Sequence, residues 1–107
     1  MDAFAALADP TRRQIVELLA DGERSAGDIA GRFAVSAPAI SQHLKVLKAA
    51  RLVTSRAEAQ RRIYALDAAG IDALDAWVRD VRRVWNPRLD ALERQLRAEA
   101  GSETGDA

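Results

Sequence analysis

Apolar residues recur along this chain at two periods, and the change between them divides it into elements. Phe4 and Leu7 mark a short amphipathic helix. Asp9 and Pro10 end it and open a second, Asp9 as N-cap and Pro10 at the first helical position, where a missing N–H costs nothing. Ile15, Leu18 and Leu19 form the inner face of that helix, and Asp21-Gly22 closes it, glycine supplying the left-handed conformation that helix ends often use. The segment from Ser25 to Phe33 begins Ser25-Ala26-Gly27-Asp28, a capping box with Asp in place of Glu or Gln. Its Ile29 and Phe33 face inward, and Ala34-Val35 is a tight connection. Ser36 then caps a further helix in which Pro38 falls in the first turn and Ile40, Leu44 and Leu47 make one apolar stripe. Two short helices joined this closely predict a helix-turn-helix.

After that helix the period becomes alternating. Leu52 to Arg56 and Arg61 to Leu66 are strand-like runs linked by residues 57–60, which predicts a β-hairpin, or wing. The helical period returns at Ala69 with Ile71, Leu74, Val78, Val81 and Trp85 at alternating steps of three and four, widened by Trp77 and Val84. A stripe this wide on a terminal helix needs a partner. Asn86-Pro87 either kinks that helix or restarts it, and Leu89, Leu92 and Leu96 continue the stripe. The predicted fold is mainly α with a small β-hairpin, a winged helix-turn-helix with an N-terminal helix and a long C-terminal helix. We expect one domain over 1–98, its terminal helix at 69–98, and a disordered tail at 99–107.

Composition narrows the function. With 107 residues the chain can bury only a modest core, to which dimerisation would add. Hydrophobic residues at 49% and charged residues at 30% describe an ordinary globular protein, and neither a membrane-length apolar run nor a leader-like N-terminus is present, so a cytoplasmic location is expected. There is no cysteine and one histidine, so no metal site or cofactor is expected. Ser25, Ser36 and Ser41 have no partner from which a nucleophile could be assembled, which argues against an enzyme.

Net charge is zero, yet its distribution is uneven. Between Arg32 and Arg62 there are seven basic residues (Arg32, Lys45, Lys48, Arg51, Arg56, Arg61, Arg62) against Glu58 alone, a net of +6 (7 − 1), and both flanks are net acidic. This block coincides with the helix-turn-helix and the hairpin, the footprint of a nucleic-acid-binding face. The helix after Ser36 carries small residues, Ala37 and Ala39, at the end that would approach a groove. Ser41 and Gln42 can bond base edges, and Lys45 and Lys48 can meet phosphates. His43 is balanced between a DNA contact and a packed, capping side chain. Arg56, Arg61 and Arg62 place positive charge at or near the wing tip. Trp77 and Trp85 read first as packing residues and second as the lining of a pocket for an unidentified small-molecule effector.

The segments ALADPTRRQIVELL, SAPAISQHLKVLKAARLV and RRIYALD together resemble an ArsR-type winged helix-turn-helix transcriptional regulator over most of the first two thirds of the chain. The terminal segment WVRDVRRVWNPRLDALERQL is similar to the metal-independent members that regulate their own operons. The resemblance implies a homodimer built on the first and last helices, with Phe4, Leu7, Ile71, Leu74, Trp77, Val78, Val81, Trp85, Leu89 and Leu92 at its interface. It implies a repressor bound to a palindromic operator in double-stranded DNA. The DNA-facing positions that match are Ser36, Pro38, Ala39, Ser41, Gln42, His43 and Lys45, with Lys48 beside them and Arg56, Arg61 and Arg62 on the wing. The alternative is a winged-helix interaction module that binds a partner protein through its C-terminal helix. Two positions depart from the family pattern: Arg51 stands where glycine usually follows the recognition helix, and the turn Glu58-Ala59-Gln60 has no glycine.

Overall fold

Side-chain caps decide where the helices begin. The structure, a computed structural model that describes residues 2–105, has the order α1 (Ala3–Leu7), α2 (Pro10–Ala20), β1 (Arg24–Ser25), α3 (Ala26–Ala30), α4 (Ala37–Ala49), β2 (Val53–Glu58), β3 (Arg61–Leu66) and α5 (Ala68–Gly105). Asp2, Asp9, Ser25 and Ser36 each accept a backbone N–H of the helix they precede, at 3.0 to 3.3 Å. Asp67 opens α5 in the same way through the N–H of Ala69. The first-turn prolines of α2 and α4 sit where no hydrogen bond is lost.

The first compact unit ends at Leu74. Its core is Ile15 and Leu19 of α2, Ile29 of α3, Ile40, Leu44 and Leu47 of α4, and Leu52 and Val53 beyond, with Ala6 and Ala50 filling between them. All but Ala6 and Ala50 are positions of the predicted helical stripes and strand-like runs, in which Leu18 and Phe33 are only half-buried. Full burial of each Leu or Ile contributes about 1.5 to 3 kcal/mol. α3 is shorter than its sequence suggests: Gly31 caps it, and residues 31–35 form the turn into α4.

The wing is a hairpin with cross-strand partners from Val53↔Leu66 to Glu58↔Arg61, so only Ala59 and Gln60 are left in its loop. A third strand was not anticipated. Arg24 and Ser25 pair with Tyr64 and Ile63, making a three-stranded antiparallel sheet in the order β1-β3-β2. Two residues are too few to show an alternating pattern, and Ser25 serves both as strand residue and as helix cap.

The exit from α4 makes a left-handed turn although no glycine stands there. Leu52 N–H reaches the Leu47 carbonyl at 3.0 Å and Arg51 N–H that of Lys48 at 3.1 Å, the paired bonds of a Schellman motif, with Leu47 and Leu52 both buried. Arg51 takes the left-handed conformation this requires, φ 62, despite its Cβ. Ala59 in the wing loop does likewise at φ 54. Opposite Arg51, a Cβ on Gly70 would lie 1.6 Å from the Arg51 carbonyl oxygen, so glycine is needed in α5 to receive this turn.

The second unit begins at Asp75, inside α5, where the sequence reading placed no boundary within 1–98. The helix continues through Pro87 without a break, and it does not stop at 98: the tail expected to be disordered is helical to Gly105, while 106–107 lie outside the described residues. Arg79–Asp75, Arg83–Asp80 and Arg97–Glu93 pairs, one turn apart, support its exposed face. Among the described residues no helix is long and apolar enough to cross a membrane.

Candidate nucleic-acid interface

Burial of Ile40, Leu44 and Leu47 fixes the rotation of α4 and thereby decides what it shows to solvent. Ser36, Pro38, Ser41, Gln42, Lys45 and Lys48 are exposed; Ala39 and His43 are half-buried. The outward surface therefore runs from small residues at the N-terminus, through two hydrogen-bonding side chains, to two lysines, with no carboxylate along it. A helix N-terminus with small residues allows close approach, and its partial positive charge adds to that of the lysines. Ser36 is occupied as the cap, its Oγ 3.3 Å from the Ala39 nitrogen.

His43 is divided between packing and the surface. Arg12 Nη1 lies 3.4 Å from His43 Nδ1, and because a guanidinium only donates, Nδ1 accepts and Nε2 is left as the donor edge. The same arginine donates through Nε to the Ala6 carbonyl at 2.5 Å and through Nη2 to that of Ala5 at 3.4 Å. Arg12 thus joins the end of α1 to the middle of α4, a role absent from the sequence reading. Its position two residues after Pro10, within reach of the carbonyls ending α1, is the signal that was there to be used. The carboxyl of Asp9 is held below its usual range chiefly by the Arg12 backbone N–H that it accepts.

The three wing arginines differ in what holds them. Arg56 makes a two-pronged pair with Glu23, Nη1 to Oε2 at 2.6 Å and Nη2 to Oε1 at 2.8 Å, and Nη2 also reaches Glu58 at 3.1 Å. That hydrogen-bonded pairing holds the Glu23 carboxyl below its usual range and raises the pKa of Arg56. Arg61 lies 3.9 Å from Asp28. Arg62 has no such partner among the described residues; its Nη1 is 3.4 Å from Ser55 Oγ, which Lys48 Nζ also approaches, at 2.8 Å. Ser55 was missed, since nothing in its sequence neighbourhood reveals that the wing folds back toward the last turn of α4.

The residues expected at a subunit interface fall into two groups. Leu7, Ile71 and Leu74 are half-buried against the core of the first unit, whereas Phe4 is exposed on it. In the second unit Trp77, Val78, Val84, Trp85, Leu89, Leu92 and Leu96 are exposed, the last three at 52 to 55% of their surface, and Val81 is half-buried. The Arg88 guanidinium stands 5.7 Å from the Trp85 ring centre.

Residues 9–55, which include the helix-turn-helix, match the model of a family described as bacterial regulatory protein, arsR family. The chain is 47% identical to the HTH-type transcriptional regulator Rv2034 of Mycobacterium tuberculosis, over 91% of this chain and 88% of that protein. It is 39% identical to the transcriptional repressor SdpR of Bacillus subtilis, over 72% and 86%. A crystal structure of a "possible transcriptional regulator for arsenical resistance" superposes with a TM-score of 0.72 at 40% identity, covering 89% of this chain and 96% of that one. The solution structure of the homodimeric winged helix-turn-helix DNA-binding domain of Mb0332 from Mycobacterium bovis superposes with a TM-score of 0.61 at 35% identity, covering 74% and 73%.

Proposed function

Since this chain belongs to the arsR family of bacterial regulatory proteins, we propose that it is a cytoplasmic transcriptional repressor that binds a palindromic operator as a homodimer and regulates its own expression. The observation that carries this reading is the surface of α4: a recognition helix whose apolar face is buried and whose outward face holds hydrogen-bonding groups and lysines without an acid. Gln42 and Ser41 read base edges in the major groove. Lys45 and Lys48 hold phosphates, setting affinity and register without regard to sequence. Ser36, Pro38 and Ala39 bring the helix N-terminus close, and His43 offers its Nε2 edge. Arg61 and Arg62 carry the wing to the backbone, and Arg56 is held in its pair with Glu23. Repression follows from occupying the promoter.

The dimer in this reading is built on α5, whose exposed leucines continue the stripe of Trp77, Val78, Val81 and Trp85 and whose solvent exposure supports a partner helix. Phe4 adds an apolar surface on α1. An effector, where one acts, would bind near Trp77 and Trp85. Saturating ligand should then change both tryptophan fluorescence and DNA affinity, and a ligand that changes neither is not an effector at this site.

The test separates base reading from phosphate contact. Gln42→Ala should lose about 1 to 3 kcal/mol of discrimination between operator and random duplex, whereas Lys48→Ala should weaken both alike. Equal losses on the two duplexes for Gln42→Ala would remove Gln42 from the reading set.

A further inference from the structure

Lys48 and Arg62 come from different elements, the last turn of α4 and the second wing strand, yet both donate to one oxygen, Ser55 Oγ, at 2.8 and 3.4 Å. The sheet register accounts for the meeting. Ser55 pairs with Tyr64 and Ala57 with Arg62, so Ser55 and Arg62 share a face of the hairpin. Val53, two residues before Ser55 on that face, is buried in one core with Leu47, which turns the face toward α4.

Two cations held side by side repel, and the arrangement is stable when an anion lies between them. Among the described residues neither Lys48 nor Arg62 has a carboxylate within ion-pair distance, in contrast to Arg56 and Arg61 beside them. Both side chains are exposed, and Ser55 is half-buried. With two donors on its lone pairs, the Ser55 hydroxyl has its own proton left to give. Ammonium, guanidinium and hydroxyl together therefore present only donors, the complement of a ligand that only accepts. Phosphate oxygens are such a ligand, and charge-assisted bonds to them are the strong kind.

We propose that Lys48, Ser55 and Arg62 form one composite site for a single phosphate of the DNA backbone, placed where the recognition helix meets the wing. The site rests on the DNA-binding reading above and sorts the basic residues within it. Arg56 is a positioning residue: its grip on Glu23 ties β2 to the segment after α2, while Arg62 touches the nucleic acid.

Salt dependence on a random-sequence duplex tests this, because the slope of log affinity against log salt measures phosphates neutralised, about 0.9 for each. Lys48→Met and Arg62→Met are compared singly and together in the full chain, with retained helicity as the folding check. A shared phosphate predicts that the double variant loses about 0.9 of slope per protomer and that each single variant loses less, the remaining cation still covering the site. Ser55→Ala should weaken binding about tenfold, the loss of one bond to a charged group, with the slope unchanged, and Ser55→Thr should restore it. Arg56→Met should keep the wild-type slope. Additive losses of about 0.9 for each single variant would mean two separate phosphates and would overturn the shared site. So would an unchanged slope in the double variant beside a steep wild-type slope, a result that leaves the DNA reading standing. A flat wild-type slope would remove both.

Discussion

Arg51 holds a left-handed conformation at φ 62, which costs a residue with a Cβ about 1 kcal/mol. The sequence shows the missing glycine but not how the turn survives without it. That depends on Gly70, nineteen positions later (70 − 51), whose bare Cα receives the Arg51 carbonyl. Arg51→Gly should therefore raise unfolding stability by about 1 kcal/mol in urea titrations. Gly70→Ala should lower it by about 3 kcal/mol or more, since the new methyl would meet a backbone atom that cannot give way. Caps such as Asp9, Ser25 and Ser36 are legible because each acts within three residues of itself. Arg12, Ser55 and the Glu23–Arg56 pair are not, because their partners arrive only through folding. The Glu23 pair also sets a pH dependence. Its carboxyl is held below the ordinary value of 4.5, so its contribution is fully present above that pH and is lost as pH falls through the depressed folded-state value. Melting temperatures of wild type and Glu23→Gln should differ at neutral pH, wild type higher, and converge in acid below 4.5.

Elements were most readable where the apolar period was long. The stripes of α2 and α4 gave their buried faces correctly, and the switch to alternation located the hairpin. β1 was invisible at two residues, and the end of α3 came early because Phe33 belongs to the turn, although it still packs inward. Asn86-Pro87 left a kink or a restart open from sequence; the helix is continuous there, although a proline removes one backbone hydrogen bond. Helicity past residue 98 runs against the polar composition of that segment, whose sequence carries no apolar stripe. Within the proposed dimer the leucines after Pro87 bear the energy. Each buried leucine contributes about 1.5 to 3 kcal/mol, and two-fold symmetry counts a substitution twice. Leu92→Glu should thus weaken the dimer by roughly a hundredfold or more in sedimentation equilibrium. An unchanged dimer constant would place the interface elsewhere.

At the scale of the whole molecule, the formal charge of zero conceals a division of labour: acidic flanks and a basic middle third, most of whose exposed cations lie on the recognition helix and the wing. Half of the candidate site was legible in the sequence, namely which residues of α4 point outward. The other half, which wing cations are already paired with carboxylates, required the sheet register and the approach of Glu23 and Asp28. Selection from a pool of random duplexes tests whether the chain reads a two-fold operator through α4. The enriched sequences should form an inverted repeat with half-site centres one helical turn apart, about 34 Å or about 10 base pairs, or a whole multiple of that. Gln42→Ala should relax the preference within each half-site. Enrichment of nothing beyond base composition, or of a single undivided site, would mean that α4 does not read a two-fold operator.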